Sequence, residues 1–153
     1  MERVAALGLD VGKKRIGVAG CDGTGLIATG LTTITRKSYP QTIEDLRQIV
    51  RDRNVEILVL GLPYSMDGSI GKQAIHVQKF GETISKALSL PIEYVDERLT
   101  SYQAEQSMIA DGISLRDNKG VIDRRAAAVI LQQWLDDRRT KRNLQSLEKL
   151  DSN

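Results

Sequence analysis

Apolar residues along this chain fall into two kinds of run. The first kind is short, rich in Val, Ile and Leu, and bounded by glycine; it predicts strands over about 4–10, 15–21 and 26–34. Gly12, Gly23 and Gly25 lie between or near them, so the three strands read as an antiparallel meander with tight turns. VEILVLGLP, residues 55–63, is apolar on both faces, as a central parallel strand is, and Pro91 opens a last strand, IEYVDE. The second kind recurs every three or four residues. Pro40, at a favoured first-turn position, opens a helix to about Arg53 with Ile43, Leu46 and Val50 on one face. Ala74, Val77, Gly81, Ile84 and Leu88 form the inward stripe of a helix over about 70–89. Thr100 and Gln103 have capping-box spacing for a helix over about 101–110 that Gly112 stops. After the basic loop ISLRDNKG, a final helix runs from about Val121 to Arg138.

The order βββαβαβαα predicts one α/β domain over residues 1–138. Its sheet is five-stranded and mixed, three antiparallel N-terminal strands and two parallel ones, with helices on both faces. Residues 139–153 are polar and are expected to form a frayed tail; four bases fall within 138–142. In such sheets ligands gather outside the carboxyl ends of the central strands. Asp10, the end of VLGLP and the Asp96-Glu97 pair all fall there.

Composition narrows the class without naming a function. At 153 residues, 41% hydrophobic and 27% charged, the chain has the make-up of one soluble globular domain. No apolar run approaches the ~20 residues of a membrane span, and no signal-peptide core is seen, so no membrane partner and a cytoplasmic location are expected. The one cysteine, Cys21, excludes an internal disulfide and reads as a small buried hydrophobe. With one histidine as well, His76, a zinc site of the usual ligands is excluded; His76 reads as a surface or packing residue. A net charge of +2 is too small to establish a nucleic-acid partner, so the distribution of charge must decide.

Three acids carry the candidate chemistry. Asp10 ends a core strand, although an isolated Asp there also suits a tight turn. Glu97 follows Asp96 at the end of the last strand, where consecutive side chains face opposite ways; an acidic loop before a helix is the plainer account. Asp123 carries most weight. It shares a helix face with Ala127, Ile130, Leu131 and Trp134, and an acid on an inward stripe needs a cation, a metal or a donor. A helix cap is its plain alternative. One cause, a shared divalent metal, accounts for all three acids at one end of a sheet. Mg²⁺ and Mn²⁺ prefer oxygen donors, and a pair of ions about 3.5–4 Å apart can activate water and stabilise the leaving oxygen of a phosphodiester. Bases surround the acids in sequence: Lys13, Lys14 and Arg15 near Asp10, Arg98 beside Glu97, and Arg116, Lys119, Arg124 and Arg125 near Asp123. Lys and Arg in such a collar hold phosphates without reading sequence. Aromatics at 4% argue against extensive base stacking.

LGLDVGKKRIGVA, VLGLPYSMDGS, VDERLTS and NKGVIDRRAAAVIL, in this order and spacing, closely resemble the YqgF/RuvX family. The resemblance covers the chain to about residue 138 and implies the RNase H-like fold of Holliday-junction resolvases. It implies a catalytic, metal-binding triad of Asp10, Glu97 and Asp123, with Mg²⁺ or Mn²⁺ as cofactor, two ions once substrate is bound. Lys14, Arg98 and Lys119 fall on the motif bases; Arg15 and Arg125 join them as candidate nucleic-acid contacts, and Thr100 as a supporting residue behind Glu97. The implied activity is a nuclease that matures the 5′ end of 16S rRNA precursor, with RNA or a ribosomal precursor particle as partner. The chain departs from the pattern at Arg124-Arg125, where a small or apolar residue is expected.

Three other readings stand beside this one. Resolution of branched DNA would use the same residues and would require a homodimer rather than a monomer, since protein symmetry mirrors that of the junction. LDVGKKRIGVA also resembles the phosphate-binding hairpin of actin-like and sugar-kinase ATPases. Those use two such domains, and VDERLTS and Asp123 have no evident part there. A non-catalytic RNA-binding factor would keep the acids without turnover.

Overall fold

The computed structural model describes residues 3–63, 67, 70–97 and 100–151, without the side chains of Thr100, Ser101 and Asp151. The strands are β1 (Ala6–Val11), β2 (Arg15–Cys21), β3 (Ala28–Thr35), β4 (Ile57–Leu62) and β5 (Ile92–Asp96). The helices are α1 (Tyr39–Arg53), α2 (Lys72–Leu88), α3 (Thr100–Ala110) and α4 (Lys119–Asp151). They form the predicted mixed sheet, in the order β3-β2-β1-β4-β5. β1 pairs antiparallel with β2 and parallel with β4, so the central strand is the one that ends at Asp10. β5 lies parallel to β4 at one free edge and β3 lies at the other.

Local chemistry explains the element ends. Ser38 caps α1 by accepting from the Gln41 amide at 3.3 Å, and Asn54 closes that helix in the left-handed region, φ 51°. Gly112, φ 73°, stops α3 as expected.

Alternation along the strands divides the core in two. Leu7, Leu9, Ile16, Val18, Leu58 and Leu60 pack under α1 and α2 with Leu46, Val77, Phe80 and Ile84. The opposite face carries Ala6, Ala19, Cys21, Val59 and Val95, and receives α4 through Ala127, Ile130, Leu131 and Leu135. α3 lies against α4 and buries Ala104 and Met108. Cys21 is buried, as its composition suggested.

The α4 face is lined with small residues because the helix comes down onto the sheet backbone. A Cβ on Gly8 would stand 2.7 Å from the Leu131 Cβ, and one on Gly17 would stand 1.9 Å from the Asp123 carbonyl oxygen. Only glycine lets the first turns of α4 sit this low over β1 and β2.

The last helix is longer than the expected end at Arg138: residues 139–151 continue α4, which spans 33 residues, or about 50 Å. No Gly or Pro follows Gly120, the segment is rich in Arg, Lys, Gln and Leu, and pairs within the helix bind successive turns. Arg139 pairs with Asp136, and Thr140 Oγ1 donates to the Asp136 carbonyl at 3.0 Å. Among the described residues no helix is long and apolar enough to cross a membrane.

Two glycines separate this account from one based on composition. Gly17→Ala must lift α4 off the sheet and is expected to cost about 3 kcal/mol or more in urea unfolding. Gly120→Ala, whose Cβ would meet nothing nearer than 3.5 Å, is expected to be neutral or stabilising by up to ~1 kcal/mol.

Candidate active site

Asp10 sits within β1 opposite Gly17, two residues along from Gly8 on the same face, so its carboxylate points to the α4 side. The turn account is excluded, since the turn lies beyond it: the Gly12 amide donates to the Arg15 carbonyl at 2.9 Å. Glu97 follows β5 directly, and its amide donates to the Leu62 carbonyl at 3.2 Å. This fixes its side chain on the α4 side as well, against Gly61; a Cβ on Gly61 would lie 2.7 Å from the Glu97 carboxyl carbon. Asp123 is the fifth residue of α4 and therefore not its cap. Asn118 lies just ahead of the helix, where its carbonyl accepts from the Val121 and Ile122 amides. Gly17 brings the Asp123 backbone down beside Asp10. Two glycines in different strands thus make room for two acids.

The electrostatics follow from this crowding. Burial raises the pKa of Asp10 to about 6, and the nearby Asp123 charge adds to the rise. Burial likewise raises Glu97 to about 8, helped by the Asp10 charge, by its hydrogen bond with Asp10 and by Asp96. Both pKa values rise together, so the two carboxyls share a proton between them. Asp123 has a different partner: Arg15 Nε donates to its Oδ2 at 2.7 Å, with the two side chains 37% and 19% exposed. Among the described residues no three carboxylate, imidazole or thiol side chains form a ready-made metal cage. The structure joins Asp10 to Glu97 and sets Asp123 next to them, bound to arginine.

The expected bases part company. Arg15 belongs to the cluster. Lys13 and Lys14 stand exposed on the hairpin turn, and Lys119 stands exposed at the start of α4. Arg124 donates to Thr33 Oγ1 at 3.4 Å and crosses over Gly30. Arg125 is turned away from the acids: it pairs with Asp111 at 2.7 Å and donates to Ser107 at 2.5 Å, binding α3 to α4. In this arrangement Arg125 is a tie between the two helices, and the departure from the motif at Arg124-Arg125 is taken up in packing. Arg98 and the side chain of Thr100 lie outside the described residues.

One supporting residue escaped the sequence reading. Arg36, just past β3, donates through Nη1 to the Gly12 carbonyl at 2.7 Å and through its amide to the Lys14 carbonyl at 2.8 Å. It thereby clasps the turn that carries Lys13, Lys14 and Arg15. The guanidinium lies 4.8 Å from the Phe80 ring centroid and donates to His76 Nε2 at 3.1 Å. His76, expected only to pack, thus braces α2 against this clasp. An arginine in a polar linker offers no periodicity or motif that could have announced this.

The order of strands, with helices on both faces, is the RNase H-like fold of the resolvases. RuvC from Thermus thermophilus, solved with a Holliday junction substrate, superposes with a TM-score of 0.52 at 14% identity, covering 88% of this chain and 95% of that one. The fowlpox virus resolvase, also solved with junction DNA, gives 0.54 at 9% identity, over 86% and 97% of the two chains. Within that class the chain belongs to the RuvX family, whose model, described as Holliday junction resolvase, matches residues 4–137. A Crocosphaera subtropica protein is 66% identical over 139 residues, which is 91% of this chain and 97% of that protein. One from Rippkaea orientalis is 64% identical over 139 residues, 91% of this chain and the whole of that protein. Both carry the name "Putative pre-16S rRNA nuclease". The resemblance drawn from the four motifs is correct.

The proton held between Asp10 and Glu97 makes stability depend on pH with a defined sign. A carboxyl whose folded pKa is raised binds protons more tightly in the folded state. Its ionisation therefore withdraws stability as pH climbs from the unfolded value, ~4.3 for Glu, through about 8. In chelator, Glu97→Gln is expected to be more stable than the parent by ~1–3 kcal/mol at pH 8.5 and to match it near pH 4.5. Urea melts at both pH values check this, and an equal difference at the two would contradict it.

Proposed function

We propose that the chain is a divalent-metal-dependent nuclease that hydrolyses phosphodiester bonds of RNA, acting in 5′-end maturation of precursor 16S rRNA in the cytoplasm. One observation supports it above all. Asp10 and Glu97 are buried side by side at the ends of two strands, at a cost that only a shared proton relieves. Packing alone has no use for such a pair, whereas a hard dication would take the place of the proton. The donor set fits: oxygen ligands, with no imidazole or thiolate at hand.

Asp10, Glu97 and Asp123 would hold the metal, Mg²⁺ or Mn²⁺, with two ions once substrate is bound. The metal would supply Lewis-acid stabilisation of the leaving oxygen and a water of lowered pKa. The protein's own groups do the rest. Asp123, now paired with Arg15, would serve as a ligand of the cation, and the Arg15 guanidinium beside it would be placed to bind the scissile phosphate. Lys13 and Lys14, exposed on the hairpin turn, and Lys119, exposed at the start of α4, hold flanking phosphates; Arg98 joins them, and Thr100 supports Glu97, on the ground of their place in VDERLTS. Arg36 keeps the turn of bases in register. Precursor rRNA, free or in a ribosomal particle, is the substrate that the names of the relatives favour.

The description of the family favours a second reading, resolution of branched DNA. It uses the same acids and requires two sites in a symmetric dimer.

Cleavage of precursor rRNA and of a four-way DNA junction, each with Mg²⁺ or Mn²⁺, tests both. Asp10→Asn, Glu97→Gln and Asp123→Asn are each expected to lose at least ~100-fold in rate. Three variants that cut like the parent would remove the proposed site. Arg125→Gln is expected to cleave at the parental rate and to lose under ~1 kcal/mol of stability, as a partly exposed ion pair should.

A further inference from the structure

A cleft of about 520 Å³ follows the free edge of the sheet, between β5 and the middle of α4. Asp96, the residue before Glu97 and close enough for its charge to act on that acid, lines it, so the cleft reaches the neighbourhood of the acid cluster. Its other wall is Trp134, Arg138, Lys141 and Arg142. Their spacing, i, i+4, i+7 and i+8, makes one stripe along α4, about 12 Å long. The Arg138 guanidinium lies 6.0 Å from the Trp134 ring centroid, and the indole Nε1 donates to Glu93 at 3.0 Å. The family match ends at residue 137, so three of these four side chains belong to the portion of α4 beyond it.

We propose that this cleft binds the stretch of single-stranded RNA that adjoins the scissile bond, an inference that rests on the nuclease reading above. A ring beside a row of cations offers one base a face and successive phosphates a track. A single strand presents both groups at once, whereas a duplex hides its base faces in the stack. Acids also line the cleft: Glu93, Asp96 and Asp137. Glu93 is engaged by the indole and Asp96 lies next to the acid cluster. Residues 138–142, beyond Asp137, carry four bases and no acid, so the positive charge lies on that part of α4, where a strand that has left the acids would need it. With aromatics at 4% of the chain, Trp134 is its one tryptophan and the cleft's built-in reporter.

The test uses the full chain in chelator, titrated with a single-stranded RNA of about a dozen nucleotides while Trp134 fluorescence is followed. Saturable quenching is expected. Lys141→Glu with Arg142→Glu, both on the exposed surface of α4, is expected to weaken it at least tenfold and to flatten its dependence on salt. With metal present, the same double variant should raise KM at least tenfold on a long RNA, leave kcat within twofold, and cleave a substrate trimmed at the bond's flanks like the parent. RNA that is bound and cut with no change in fluorescence and no change in KM would overturn the cleft while leaving the nuclease reading intact. Quenching without cleavage of any substrate would support the cleft and sink that reading instead. Quenching by duplex DNA but not by the single strand would overturn the proposed occupant.

Discussion

The close seating of α4 on the sheet is the constraint from which the rest of this molecule follows. Its first turns rest on strand backbone, with Gly17 beneath the Asp123 carbonyl and Gly8 beneath Leu131. A helix held this low delivers an acid from late in the chain to the end of the first strand. The same approach partly buries Asp10 and Glu97, and it is desolvation, more than any single neighbour, that lifts both pKa values. Packing and chemistry here are one arrangement: the glycines bring the acids together, and the enclosure makes them bind a proton in the absence of a cation.

The cluster is held at rest by internal counter-charges. Arg15 occupies Asp123, and Asp10 and Glu97 share a proton. Neither bond is a permanent commitment, since one arginine is 37% exposed and one proton can be exchanged. Around this centre the fold stations arginines with separate duties. Arg36 clasps the hairpin turn, Arg125 ties α3 to α4, and Arg124 spans to β3.

The fold could be read from the chain because its signals are local. Two-sided apolar runs gave β1 and β4, threefold and fourfold spacing gave α1 and α2, and Gly112 marked the end of α3. The placing of Asp10 beside Glu97, with Asp123 on the helix that faces them, was legible in strand alternation and one helix face, with the four motifs in support. What stayed hidden depends on long-range partners. Whether Arg125 meets RNA or Asp111 cannot be read from its neighbours in sequence, and Arg36 acts through a carbonyl 24 residues away. The length of α4 was underestimated for another reason. The polarity of 139–151 suggests a tail, whereas an exposed helix of good formers needs no apolar face where no residue interrupts it.

The most direct test is a crystal of the protein soaked in Mn²⁺ and measured for anomalous scattering. The account predicts a peak about 2.0–2.3 Å from carboxylate oxygens of Asp10, Glu97 and Asp123, with Asp123 released from Arg15. A peak elsewhere, or none at saturating Mn²⁺ with the Asp123–Arg15 pair unbroken, would contradict it.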